Sequence, residues 1–342
     1  MIERDVTIKD VAREANVSIA TVSRVVNGNY IVSEDLKERV FAAIKSLNYV
    51  PNSIARSLKI DHTLTIGLIV SDISNSYFTA LARSAEDIIM KKGYNLIVCS
   101  TDDKKEKEAS YLKLLLEKKV DGILLNTTGK NDDLISEISK SIPVGLCSRK
   151  IKNPEFIGDF VEVDNLNGAY TLTKHLLSLG HRKIAVINGQ KHISSSVERY
   201  NGFLKAMEEF GIEPPETNPY HYHGNFNSPD SGESGVEYLL SLPHPPTAVI
   251  TMNNELALGV IRYTMRHGIK VPDELSICSF GQITNSELML IQPTYVTMDP
   301  ASMGTTLSEM VIERISHKQN IPSREVRYTT TLVHGNAVSP IG

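Results

Sequence analysis

The chain of 342 residues has no tryptophan, only three cysteines, and few aromatic residues, at 6%. Cys99, Cys147 and Cys278 are an odd number without metal-type spacing, each beside an apolar run. That excludes a disulfide scaffold and points to buried free thiols. No apolar run approaches the roughly 18–20 residues that span a bilayer, so no membrane partner is expected. The opening MIERDVTIKDVAREA has no apolar h-region, which argues against a secretory signal and for the cytoplasm. Neither sign of charge dominates. The net charge of −4 argues against indiscriminate coating of nucleic acid. Apolar residues at 41% and charged residues at 22% exclude disorder, and the length calls for two or three domains.

The charge is unevenly placed. Residues 1–60 carry +2 and the remainder −6, and from Asn16 to Ser33 the only charged residue is Arg24. A phosphate-facing surface requires such an acid-free stretch. Thr7 is placed to cap a helix running to about Ala15, with Ile8, Val11, Ala12 and Ala15 on one face. Ser18 caps a second helix to Asn27, ahead of Gly28, with Val22, Val25 and Val26 inward. Ile19, Ala20, Ser23, Arg24 and Asn27 are left facing out. Ser33 opens a third helix to about Leu47. Two short helices joined by about three residues and braced by a third form a helix-turn-helix domain. The small and polar outer face of its second helix suits the floor of the major groove.

From Leu64 onward, buried-strand runs alternate with helical stretches: strands at 64–70, 94–100, 122–126 and 144–147, then 183–188, near Tyr220, 248–251 and 275–280. Repeated β-α pairing implies parallel sheets with helices on both faces. Two such blocks in tandem imply two lobes with a ligand crevice at the strand C-termini. The expected fold is therefore an N-terminal all-α helix-turn-helix domain followed by an α/β core of two doubly wound parallel-sheet lobes. No dinucleotide fingerprint, phosphate loop or nucleophile elbow appears, so an enzyme is not expected, nor a cofactor. His221-Tyr222-His223 has no third ligand nearby and does not make a metal site. Asp102-Asp103 and Asp132-Asp133 sit at loop-to-helix junctions and read as helix caps.

The runs Thr7-Ile8-Lys9-Asp10-Val11-Ala12, Val17 to Gly28, Leu47-Asn48-Tyr49-Val50-Pro51-Asn52 and Ala55-Arg56-Ser57-Leu58 closely resemble the lactose/galactose/purine repressor (LacI/GalR) family. The resemblance continues along nearly the whole chain. It implies a repressor of carbohydrate-utilisation genes, binding a pseudo-palindromic operator in double-stranded DNA as a homodimer. Ile19 and Ala20 would discriminate bases and Arg24 would read guanine, whose O6/N7 edge matches a guanidinium. Thr7, Ser18, Thr21, Ser23, Asn27, Ser33 and Tyr49 would contact phosphate. Residues 1–50 would form the DNA-binding domain and 51–61 a hinge helix with linker. In the hinge, Asn52 and Ala55 would line the minor groove and Leu58 would wedge between base pairs.

By the same resemblance, residues 62–342 form a periplasmic-binding-protein-like core for effector binding and dimerisation. Its N-lobe would span about 62–160 and 292–322, its C-lobe about 161–290 and 324–342, with crossovers near 160, 291 and 323. Dimer surfaces are expected on Tyr77–Met90 and around Met289–Met298. The small-molecule crevice would be lined by Asp72, Ser74, Asn75, Phe78, Ser148, Arg149, Arg199, Asn253, Gly281 and Gln282. Ser148, Gly281-Gln282 and Asn254 stand where acids are common in the family. With Arg199 kept and Arg149 close by, the crevice loses negative charge, which points to a sugar acid or sugar phosphate. The run Asp72-Ile73-Ser74-Asn75 is similar to the catabolite-control branch, in which a phosphoprotein corepressor acts, and that alternative stays open.

Overall fold

The described residues of the first unit form three short helices: α1 (Ile8–Glu14), α2 (Ile19–Asn27) and α3 (Glu34–Ser46). Helix α1 ends because Asn16 adopts a left-handed φ of 50°, after which the Val17 amide bonds back to the Ala12 carbonyl at 3.0 Å. Arg39 of α3 locks this turn by donating to the carbonyls of Ala15 and Asn16 at 2.8 and 3.0 Å. Val11, Ala12, Val22, Val25, Val40 and Ala43 form the small core, and the Tyr49 ring closes it. The computed structural model describes residues 6–27, 32–49, 62–212, 218–317 and 321–341. It divides into two units, Met1–Thr63 and Leu64–Gly342.

The second unit holds two six-stranded sheets, one per lobe. The N-lobe sheet contains β1 (Thr65–Val70), β2 (Asn95–Ser100), β3 (Gly122–Leu125), β4 (Val144–Cys147), β5 (Gly158–Val163) and β11 (Glu325–Tyr328), in the order β11-β5-β4-β3-β1-β2. The C-lobe sheet contains β6 (Ile184–Asn188), β7 (His221–His223), β8 (Ala248–Thr251), β9 (Ser276–Phe280), β10 (Thr294–Val296) and β12 (Leu332–Val333), in the order β12-β10-β9-β8-β6-β7. Every pairing is parallel except β10 with β12. Strand order reverses at β1 and at β6, so the loops leaving β1, β3, β6 and β8 frame the crevices where such sheets bind ligands.

The intervening helices are α4 (Ser76–Lys91), α5 (Lys105–Glu117), α6 (Asp132–Ser139), α7 (Asn165–Ser178), α8 (Ser194–Glu209), α9 (Pro229–Leu240), α10 (Asn254–His267) and α11 (Pro300–Ser316). Helices α7 and α8 cross so closely that a Cβ on Gly202 would lie 2.1 Å from the Leu166 carbonyl oxygen. Gly202 is thus a packing requirement.

Sequence reading did not find β5, α11 or the three last strands, and the crossovers lie later than 160, 291 and 323. Strand β5 joins the N-lobe sheet through Val163, β10 joins the C-lobe sheet through Val296, and β11 returns to the N-lobe through Tyr328. Helix α11 buries Met303, Leu307, Met310 and Val311. Arg314, on the same helix, is fully buried and donates to Asp159 of β5 at 2.7 Å, while Arg324 donates to the other carboxylate oxygen at 3.0 Å. All three cysteines are buried and free. Burial pushes the Cys147 thiol up to about 12, which leaves it protonated and unreactive.

Candidate functional site

On the first unit, the outer face of α2 is the candidate nucleic-acid interface. Val22 and Val25 are buried, while Ile19, at 45% exposure, and Ala20 and Arg24 lie exposed. An exposed isoleucine beside an alanine suits contact with base edges better than solvent. Ser18 accepts from the Thr21 amide at 3.1 Å and shares a 2.9 Å hydroxyl contact with Thr21, so it caps α2. The Thr7 amide and hydroxyl both donate to Asp10, at 3.0 and 2.6 Å, at the start of α1. Ser33 stands exposed as the N-cap of α3, Ser23 is half-buried on α2, and the Tyr49 ring is buried. The side chain of Asn27, and Asn52, Ala55 and Leu58, lie outside the described residues.

In the second unit, a cavity of about 50 Å³ sits between the two lobes. Of the ten residues expected around it, Asn75, Phe78, Ser148, Arg149, Arg199 and Asn253 line it; Asp72, Ser74, Gly281 and Gln282 do not. Asp72 accepts from the Ser74 amide and hydroxyl at 2.8 and 2.7 Å, so the pair completes its own turn at the end of β1. Gly281 takes a φ of 96° and packs against Met298, while Gln282 lines a neighbouring recess of about 130 Å³. Tyr77, Asn126, Ser195, Phe226, Asn227 and Met298 line the cavity without having been expected there. Phe226 and Asn227 come from the loop after β7, which carries no periodicity to mark it. Tyr77 had been assigned to a dimer surface, yet its hydroxyl meets Ser148 Oγ at 2.6 Å, and burial raises its phenol well above the ordinary range.

Arg199 reaches the cavity from the second turn of α8. Its Nε donates to Asn165 Oδ1 at 2.8 Å and its Nη1 to the Met252 carbonyl. The guanidinium lies 3.8 Å above the centre of the Phe280 ring and 5.7 Å from that of Phe226. Burial lowers its pKa to about 10, which leaves it charged at neutral pH. Among the described residues no carboxylate forms an ion pair with it.

Arg149 differs from the sequence expectation. It is buried, and Asp103 holds it with two contacts of 2.5 and 3.2 Å, supplemented by the Thr127 carbonyl at 3.0 Å. Asp103 is therefore no helix cap; Lys104 occupies the cap of α5. The carboxylate missing at Ser148 is supplied from the loop after β2, so among the described residues Arg199 is the lining cation without a direct ion pair.

The lobes are held together across the cavity. Asn75 and Asn254 exchange amide hydrogen bonds of 3.4 and 3.1 Å, and Asn227 donates to Asp103 at 2.9 Å. The Lys150 amide donates to Ser194 Oγ at 2.9 Å, and His192 Nε2 contacts the Thr128 carbonyl at 3.2 Å. A volume of about 50 Å³ has room for about one or two waters and excludes a monosaccharide. Entry of a larger ligand must part these bonds or rearrange them.

Residues 7–52 match the profile of the bacterial regulatory proteins of the lacI family, and residues 63–334 that of the periplasmic binding proteins and sugar binding domain of the LacI family. The HTH-type transcriptional repressor PurR of Escherichia coli is 34% identical over 318 residues, covering 92% of each chain. The regulator CelR in complex with cellobiose aligns with a TM-score of 0.73 at 26% identity, over 97% of this chain and 99% of that one. A LacI family regulator from Enterococcus faecium with bound ribose aligns at 0.72 and 27% identity, over 81% and 100%. The Lac repressor dimer bound to operator and the anti-inducer ONPF shares the fold, at a TM-score of 0.84 and 24% identity, over 98% and 100%. No helix among the described residues is long and apolar enough to cross a membrane. With an exposed recognition face on α2 and a ligand cavity between two lobes, the chain belongs to the LacI family and is a DNA-binding transcriptional repressor of the PurR/LacI type.

Proposed function

We propose that the protein binds a pseudo-palindromic operator as a homodimer in the cytoplasm, under the control of a small carbohydrate-type effector seated between the lobes. Ile19, Ala20 and Arg24 read bases, and Asn52, Ala55 and Leu58 form the minor-groove hinge. Two reading heads are needed because one half-site discriminates poorly against a genome of competing sites. The buried Arg199, whose hydrogen bonds go to an amide and a carbonyl, is the observation that carries the effector reading. A sugar acid or sugar phosphate would supply the missing negative charge. The Arg149–Asp103 pair and the amides of Asn75 and Asn253 suit hydroxyl groups. Relatives solved with cellobiose and with ribose support a carbohydrate as the ligand class.

Thermal unfolding against neutral sugars, sugar acids, sugar phosphates and purines tests this reading. A ligand at a hundred times its Kd adds about 2.7 kcal/mol, a rise of several degrees for a unit of this size. A shift with acidic sugars that disappears in Arg199→Lys is the expected result. Shifts with neutral sugars alone would restrict the reading to polyols, and none at all would favour the phosphoprotein corepressor.

A further inference from the structure

Helix α8 serves two recesses. Ser195 and Arg199 line the interlobe cavity, whereas Ser196, Tyr200 and Asn201 line a separate recess of about 700 Å³. The remaining polar wall of the second recess includes Asn188 at the end of β6, Lys191 in the loop after it, and His221 and His223 of the edge strand β7. The wall is held by contacts among its own residues. His221 stacks on Tyr200 with ring centres 3.7 Å apart and meets His223 at 3.9 Å, while Asn188 Nδ2 holds the Ser196 carbonyl at 2.9 Å.

Two of its polar atoms are left over. Ser196, only 1% exposed, has a hydroxyl without a hydrogen-bond partner, and so does His221 Nε2. Buried donors and acceptors rarely stay unpaired, so both point to a ligand or ordered solvent. The charge is one-sided. Among the described residues, the titratable groups lining the recess are Lys191, His221, His223 and the phenols of Tyr200 and Tyr238, with no carboxylate. Burial, then His223, then Lys191 push the His221 imidazole down to about 3. The basic groups oppose one another, and an anion among them relieves that opposition.

We propose that this recess is a second small-molecule site, for a small anion whose carboxylate or phosphate oxygens are bound by Lys191, Ser196 and His221. It is distinct from the interlobe effector cavity and stands whether or not the effector reading does. Because successive residues of α8 face the two recesses, an anion bound at Ser196 acts on the turn that positions Arg199. The site is thus placed to modulate effector binding.

The test follows the imidazole resonances of the full-length protein, with His221 and His223 assigned by His221→Gln and His223→Gln. Inorganic phosphate and citrate are titrated separately at constant ionic strength, with sodium chloride as the reference. The expected result is a saturable displacement of both resonances. Lys191→Ala, an exposed position that folds normally, should weaken it tenfold or more, and Arg199→Lys should leave it within about twofold. Saturation by phosphate alone identifies a phosphoryl ligand, and by citrate alone a carboxylate ligand. Displacement no different from that of chloride, or unaffected by Lys191→Ala, overturns the proposal. So does displacement lost in Arg199→Lys but kept in Lys191→Ala, which would put the anion in the interlobe cavity.

Discussion

Arg24 and Arg199 are both helical arginines, yet one is exposed and the other buried. Arg24 lies exposed on α2, and its planar fork of donors has the geometry that matches a guanine edge. Its replacement in Arg24→Ala should cost about 1–3 kcal/mol of discrimination between operator and mismatched sites, while ligand-induced thermal shifts of the core persist. Competition binding with single-base operator variants measures this; equal affinities for wild type and mutant would remove the base-reading role. Arg199 is buried between Phe226 and Phe280, and there its guanidinium is fixed by Asn165 and the Met252 carbonyl. Arg149 shows what residue type alone does not reveal. Its charge is spent on Asp103, a residue 46 positions away in sequence. Nothing in either local pattern announces that pairing, because it depends on how the loops after β2 and β4 converge.

At the scale of elements, legibility followed length and periodicity. Helices of the first unit and the long β-α repeats of the core are legible to within about three residues, since each carries several turns of apolar spacing. The strands β10 and β12 have three and two residues, too few for any period to register. Strand β5 is buried throughout although it contains Asp159 and Glu162, so its polarity concealed it. Helix α11 had readable signals: Asp299 as N-cap, Pro300 in the first turn, and apolar residues at 303, 307, 310 and 311. The Asp159–Arg314–Arg324 cluster fastens β5, α11 and the chain entering β11. Burial alone would raise the Asp159 carboxyl, but the hydrogen bonds from Arg324 and Arg314 hold it below the usual carboxylate range. A depressed folded pKa gives stability that is present above the unfolded value of about 3.9 and lost as pH falls through the folded one. Asp159→Asn should therefore cost about 3–5 kcal/mol near neutrality, because it leaves Arg314 buried without its partner. The gap between wild type and variant, measured by denaturant unfolding, should narrow below about pH 4. A gap that stays constant with pH would assign the cost to packing instead.

At the scale of the molecule, a closed interlobe cavity and a separate DNA-binding unit define what must be coupled. The lobes meet through a few amide, carbonyl and carboxylate contacts around Asn75, Asn254, Asp103 and Asn227, and a ligand that parts or tightens them changes the relation between the two sheets. Coupling between ligand and operator is reciprocal: whatever factor the effector exerts on operator affinity, the operator exerts on effector affinity. The measurement that tests this directly is the Kd for a selected genomic operator, with and without a ligand shown to raise the melting temperature of the core. Ligand-controlled repression predicts a change of about fivefold or more in operator Kd, in either direction, with non-specific DNA affinity unaltered. A ligand that stabilises the core yet leaves operator Kd unchanged would contradict the account.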